Sequence, residues 1–212
     1  MGSIKRRGLA LIGWMITFLA LVSGTVVLTC LCAWLIYPLI NQWGHLAKAQ
    51  QLTTAQLMAN FNRLMRYLLI PGGQLELPNF AMSLNGQQHF SEVKRLFLSA
   101  EIIGLITGPL AVWRWQQHKV AKRLWQYIAP LQISLIVPII VGFVASMNFE
   151  RFFIIFHQIL FRNLDWQFDP LTDPIILVLP EFYFAICFAI FFGLLEGSFS
   201  WLLWRAKRTL VY

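Results

Sequence analysis

Four histidines occur in the chain, and His157 stands in the most unusual surroundings: FHQILFRNLDWQFDP, residues 156–170, sets it with Arg162, Asn163, Asp165 and Asp169 in a frame of Phe, Leu and Trp. Imidazole gives and takes protons near neutral pH, so each histidine is a candidate acid or base. Helical spacing aligns Phe153, His157 and Phe161 on one side, which predicts a desolvated ring that needs a partner to offset its burial. A second candidate, His89, opens HFSEVK, and Glu92 three residues on is a possible orienting carboxylate if that stretch is helical. For His45 and His118 the simpler reading is a surface ring bonded to water or lipid headgroups.

The carboxylates divide by context. Asp165, Asp169 and Asp173 recur every four residues and on one helix would share a face fit for a divalent cation, but Pro170 and Pro174 argue against that helix. They read instead as turn formers and caps, with Asp173 before Pro174 a good N-cap, and no metal or other cofactor is called for. Glu181 and Glu101 fall inside apolar runs, where a carboxylate is expensive unless it meets an arginine or histidine; Glu196 is placed to pair with inner basic residues. Asn60, Asn62, Asn163 and Arg162 are plausible donors to a lipid carbonyl or phosphate, although capping explains them nearly as well, and Trp166 belongs to the group that shapes the surroundings of His157. Cys30, Cys32 and Cys187, all in apolar runs, give neither a disulfide framework nor a metal spacing. The chain lacks GxSxG, HExxH, CxxC and a phosphate-binding glycine loop, so serine hydrolysis and metalloprotease chemistry lose most of their support.

The elements that must position these groups belong to a membrane protein. Of 212 residues 58% are hydrophobic and 12% charged, and the mean hydropathy is +0.63. These values lie outside the soluble globular range. The net charge of +8 is gathered mostly in three clusters, Lys5–Arg6–Arg7, Arg114–Lys119–Lys122–Arg123 and Arg205–Lys207–Arg208, each at the end of an apolar run. They read as cytoplasmic anchors and not as a nucleic-acid surface.

Four apolar runs, about 8–38, 96–113, 124–147 and 174–204, predict four crossings in a single integral membrane domain, 1–212, with both termini cytoplasmic. Pro130 and Pro138 predict bends in the third. Two segments, about 40–95 and 148–173, are then extracytoplasmic. In the first, Leu57, Phe61, Leu64 and Leu68 lie opposite Asn62, Arg63 and Arg66, the pattern of an interfacial amphipathic helix ended by Pro71-Gly72-Gly73. LELPNF reads as a short extended piece and Asn85-Gly86 as a turn before the second crossing. In the second, ERFFIIFHQILF makes a helix of about 12 residues, roughly 18 Å, too short to span. The fold class is therefore an all-α integral membrane protein with an extracytoplasmic portion of interfacial helices and loops.

ANFNRLMRYL, FAMSLNGQQHFSEVKRLF, FHQILFRNLDWQFDP and DPIILVLPEFYF, in that order around four crossings, resemble the bacterial lipoprotein intramolecular transacylase family, Lit, over nearly the whole chain. The resemblance implies an acyltransferase of the bacterial cytoplasmic membrane acting on its extracytoplasmic side on diacylglyceryl-modified lipoproteins. The sn-2 acyl chain moves to the α-amino group of the N-terminal cysteine and leaves a lyso-form lipoprotein. It also implies two catalytic histidines, His89 and His157 by motif; the acidic residue after the first, most often Asp in the family, is Glu92 here. An amine of pKa about 8 must lose a proton as it adds to the ester, which suits a neutral His157 as base. His157 or His89 can then return a proton to the glyceryl oxygen, and His89, as a donor, can alternatively stabilise the oxyanion. Donor and acceptor belong to one substrate, so no enzyme nucleophile is required. The alternatives are an outer-leaflet phospholipase or esterase using the same histidines with water, and a non-enzymatic membrane scaffold subunit.

Overall fold

The computed structural model describes residues 2–209; the side chains of residues 2–7 and 9 lie outside the described residues, and with them the basic cluster Lys5–Arg6–Arg7. Helices account for the elements: α1 (Gly2–Gly44), α2 (Leu46–Ala49), α3 (Thr54–Leu69), α4 (Leu84–Val120), α5 (Ile128–Met147), α6 (Phe149–Leu160) and α7 (Glu181–Arg208). Short 3-10 turns occupy Leu124–Tyr127 and Pro174–Val178, and no strand occurs among the described residues. LELPNF, expected as extended, is irregular coil.

Four helical stretches, Ala10–Gly44, Leu84–Val120, Leu124–Met147 and Glu181–Arg208, are long and apolar enough to cross a membrane. Their flanks bear this out: Ile133, Ile136, Val137, Ile139, Ile140, Phe143 and Val144 of α5 are each 54% to 66% exposed, a row that water would not tolerate. Pro130 falls in the first turn of α5, where no intrahelical partner is lost, while Pro138 lies inside the helix. The second of these helices runs well past its apolar stretch at both ends. His118 and Lys119, expected in a loop, lie in the last turn of α4, because flanking polar residues can continue a helix once the apolar stretch has nucleated it.

The chain divides into two compact units. One comprises Met1–Leu28, Ala100–Phe143 and Ala189–Tyr212. Its core packs Leu124, Tyr127 and Leu131 with Leu195, Phe199, Leu202 and Ala206, and Trp14 and Trp115 meet the Tyr127 ring edge-on. Glu196, expected to pair with basic residues, keeps a buried carboxylate oxygen without a hydrogen-bond partner.

The other unit comprises Thr29–Ser99 and Val144–Phe188 and carries the histidines His89 and His157. Its centre is aromatic. Tyr37, fully buried, stacks on Phe61 at 3.4 Å between centroids, meets Tyr183 edge-on at 5.5 Å, and donates its hydroxyl proton to the Val178 carbonyl at 2.7 Å. Helix α3 supplies the expected stripe, with Leu57, Phe61, Leu64 and Leu68 all buried and Arg63 and Arg66 exposed. Thr53 and Gln56 close a capping box at its start, and Gly72 and Gly73 turn the chain at its end with φ of 80° and 73°, a conformation that suits glycine.

Asn85-Gly86 is not a turn but part of the first turn of α4. Ser83 takes the N-cap place, its hydroxyl accepting from Gly86 N at 3.0 Å. The Ser83 N–H donates in turn to Asp173 Oδ1 at 2.8 Å, and Thr172 Oγ1 donates to Asp173 Oδ2 at 2.9 Å. Asp173, 3% exposed, was expected to cap the turn that follows it; its side chain makes no such bond and instead ties the start of α4, where a carboxylate also meets the positive end of the helix dipole. Gly86 permits this, because a Cβ there would collide with the Asp173 carboxylate.

A contrast between two glycines of α4 tests this tie. Ala is the better helix former by roughly 0.5–1 kcal/mol, and Gly108 has open space around its Cα, so Gly108→Ala is expected to leave thermal stability in detergent equal or higher. Gly86→Ala is expected to reverse the sign, losing about 1–3 kcal/mol as the buried carboxylate is displaced. Equal melting temperatures for the two variants would show that the tie contributes nothing.

Candidate functional site

His89 lies in the second turn of α4, and His157 in the last turn of α6, where it is the sole buried residue of that helix. Asn148 starts α6 as an N-cap, accepting from Arg151 N at 2.9 Å, and Phe161 ends it in extended conformation. The chain then runs as coil from Phe161, through Asn163 and Trp166, to Phe168.

These elements bring the two imidazoles to 5.8 Å between ring centroids, 7% and 8% exposed for His89 and His157. Aromatic rings wall them. Phe161 lies 4.8 Å from the His89 ring and 5.7 Å from the His157 ring, Phe168 stands edge-on to His89 at 5.5 Å, and Trp166 and Phe153 lie 5.0 and 4.1 Å from His157.

Each ring has a defined hydrogen-bonding state. His157 Nδ1 lies 2.8 Å from the Phe153 carbonyl oxygen. A carbonyl only accepts, so Nδ1 carries the proton of the neutral ring and Nε2 keeps its lone pair. Burial pushes the His157 pKa below its ordinary value because the imidazolium is poorly solvated, and the bond to Phe153 opposes that shift in part. His89 Nδ1 is buried without a hydrogen-bond partner, an uncompensated polar atom of the kind retained where a ligand is to be met. Glu92, expected to orient His89, makes no hydrogen bond to it, because Asn163 and Gln88 hold its carboxylate.

Glu92 does something else. Its carboxylate accepts from Asn163 Nδ2 at 2.9 and 3.2 Å and from Gln88 Nε2 at 3.1 Å, with Arg95 at 3.8 Å. Asn163 also folds the coil: its Oδ1 accepts from Asp165 N at 3.2 Å and its carbonyl from Trp166 Nε1 at 3.0 Å. The route Glu92–Asn163–Trp166 thereby sets an indole against the His157 ring.

The remaining candidates lie elsewhere. Arg162 is exposed. Asn60, 1% exposed, bonds Gln56 O and Asn79 Oδ1, both at 2.7 Å, and so secures α3 to the 77–80 segment. Glu181 was expected a turn and a half into the last crossing; it opens α7 and is exposed, because Pro180 and the 3-10 turn before it delay the helix start. It and Glu101 make no ion pair among the described residues, where Arg95–Glu92 is the one salt bridge. Asp165 and Asp169 sit in coil, and no group of three metal-ligating side chains occurs among the described residues.

Sequence reasoning missed Phe168, whose place depends on the path of the coil. It also missed Lys94, 9% exposed, whose ammonium lies 4.1 Å over the Tyr67 ring and donates to the Gly72 carbonyl. That lysine fastens the two-glycine turn to α4. The helical alignment of Phe153, His157 and Phe161 was the signal for the nearer walls.

Among curated proteins none matches the chain. The family model described as lipoprotein intramolecular transacylase Lit matches residues 11–184. Among solved structures the chain is similar to the membrane-integral lipoprotein intramolecular transacylase Lit from Bacillus cereus, at 25% identity and a TM-score of 0.86, over 99% of this chain and 97% of that one. Two variants of the same Bacillus cereus protein, with a histidine mutated to arginine or to alanine, match at 22% identity and a TM-score of 0.78; coverage is 99% of this chain and 95% and 97% of theirs. With the family match spanning most of its length, the chain belongs to the Lit family of lipoprotein intramolecular transacylases and is an acyltransferase.

Proposed function

We propose that the chain moves the sn-2 acyl group of a diacylglyceryl lipoprotein onto the α-amino group of the same molecule's N-terminal cysteine, with His157 as base and His89 as its partner. The observation that carries this reading is the pair of buried imidazoles 5.8 Å apart, one with its tautomer fixed by a backbone carbonyl. The amine nitrogen attacks the ester carbonyl carbon, and His157 Nε2 takes the proton released as the C–N bond forms. When the tetrahedral intermediate collapses, the C–O bond to glycerol breaks and the glyceryl oxygen takes a proton from the imidazolium. His89 donates a hydrogen bond to the carbonyl oxygen as it gains charge, which gives its unpartnered ring a role. The product is an N-acyl, lyso-form lipoprotein, and no acyl-enzyme is formed.

Burial of both rings to 7% and 8% exposure also favours transfer over hydrolysis, since water reaches such a pocket poorly. The basic clusters at 114–123 and 205–208 favour a cytoplasmic location for those segments, which sets 40–95 and 148–173, and the histidines with them, on the outer side of the cytoplasmic membrane.

Purified protein incubated with a diacylglyceryl lipopeptide is expected to yield a product with the acyl chain on the cysteine nitrogen by fragmentation mass spectrometry. His157→Ala is expected to fold as the wild type does and to lose about 10²–10⁴-fold in rate, the usual contribution of general base catalysis. Free fatty acid as the main product would point to an esterase, and a fully active His157→Ala to a scaffold.

The pH profile carries a second expectation. The lowered pKa means that His157 stays neutral as pH falls through 6.5, where an ordinary imidazole becomes half protonated. With an amine of pKa about 8, log(kcat/KM) should rise with slope one from below pH 6.5 to about pH 8 and steepen to two only at lower pH. A break to slope two at 6.5 or above would contradict the assignment. The same shift makes the unfolded chain bind more protons than the native one just below 6.5, so the His157 contribution to stability falls as pH drops through that window.

A further inference from the structure

Beside the histidine pocket, α4 and the 73–75 segment enclose a groove of about 680 Å³, lined among others by Gln74, Asn85, Gln87, Gln88, Ser91 and Asp165. We propose that this groove binds the peptide that follows the acylated cysteine, by hydrogen bonds to its main chain and without selection for its side chains. The inference rests on the acyl-transfer reading above.

Position comes first. At about 100° per residue, Leu84, Gln87, Gln88 and Ser91 share one face of α4, while His89 lies about 100° round from Gln88 with Glu92 between them. The hydrogen bond of Asn163 to Glu92 is thus the ridge between groove and histidines. Two groove-lining residues connect to the ridge and to the histidines: Gln88 bonds Glu92, and Asp165 is the neighbour of Trp166, whose ring lies 5.0 Å from that of His157. A substrate whose reacting amine lies at the histidines has its next residues within reach of this groove.

Lining chemistry then selects the occupant. Four primary amides and a hydroxyl offer donors and acceptors together, the complement of an extended backbone with its alternating N–H and C=O groups. Neither lysine nor arginine lines the groove and Asp165 adds a carboxylate to it, so a phosphate headgroup finds no counter-charge there; the exposed Arg63 and Arg66 line an adjoining recess that shares Tyr67, Gly73 and Gln74 with it. An acyl chain would leave the amides unsatisfied. Neutral amides discriminate little among uncharged side chains, and Asp165 is the one charged group in the lining.

The test compares two substrates with the full-length protein: diacylglyceryl-cysteine amide, and the same group on a neutral pentapeptide. The wild type should favour the longer substrate in kcat/KM by about tenfold or more, and Gln74→Ala/Gln87→Ala should remove most of that preference, as losing two neutral hydrogen bonds implies. Scrambling the pentapeptide should leave the preference intact. Equal rates for both substrates in the wild type, an undiminished preference in the double variant, or a strong dependence on peptide sequence would each overturn the proposal. Absence of N-acyl product from either substrate would overturn the acyl-transfer reading itself. Because each variant is judged by the ratio of two substrates, a loss of folded protein cancels.

Discussion

The coil from Phe161 to Asp173 forms neither helix nor strand, yet it supplies Phe161, Trp166 and Phe168 to the walls around the two imidazoles. It keeps its path because carboxylates anchor it to α4 near both ends, Glu92 through Asn163 and Asp173 through Ser83. The two ties use opposite arrangements. At the first the helix offers the carboxylate and the coil the amide; at the second the coil offers the carboxylate and the helix start its backbone N–H. Ties of this kind are directional, so they fix both the distance and the rotation of the coil relative to His89. Local turn bonds, Gln167 N–H to Leu164 O and Phe168 N–H to Trp166 O, shape the coil between these ties, and the ties set where it lies against α4.

The walls set the chemistry. Aromatic carbon on several sides of each imidazole excludes water, which favours the neutral form of His157 and leaves His89 Nδ1 without a partner. An unsatisfied polar atom in such surroundings costs free energy in the empty site, and a substrate oxygen placed there recovers it. The cost is tolerable because the rest of the unit is well packed, with the stacked Tyr37–Phe61 pair and Tyr183 at its centre.

Much of this was legible in the sequence wherever the signal was local. The stripe of α3, the twelve-residue helix carrying His157 and the irregular path of the three aspartates all follow from periodicity and proline placement. Errors arose where a distant residue decided the matter. Asn85-Gly86 has the composition of a turn, but Ser83 and a carboxylate 90 residues away from it along the chain make it a helix start. Glu92 three residues after His89 looked like its partner, and the coil claimed it instead. Glu181 was read at depth because the 3-10 turn before it looks like continuous apolar helix. The family resemblance came from spaced blocks, HFSEVK and FHQILF with its tryptophan, and those blocks are the segments that meet at the histidines.

The hydrogen bond from His157 to Phe153 spans a single turn of one helix, and the Phe153 and Phe156 rings beside His157 belong to that same helix, while Phe161, Trp166 and Phe168 belong to the coil. Proton placement on the His157 ring is therefore inherited from α6 alone. A change in the path of the coil would take Phe161 and Trp166 from the His157 ring and leave its tautomer and the two α6 rings in place. The position of the proton on His157 is thus insulated from the part of the surroundings that has no regular secondary structure.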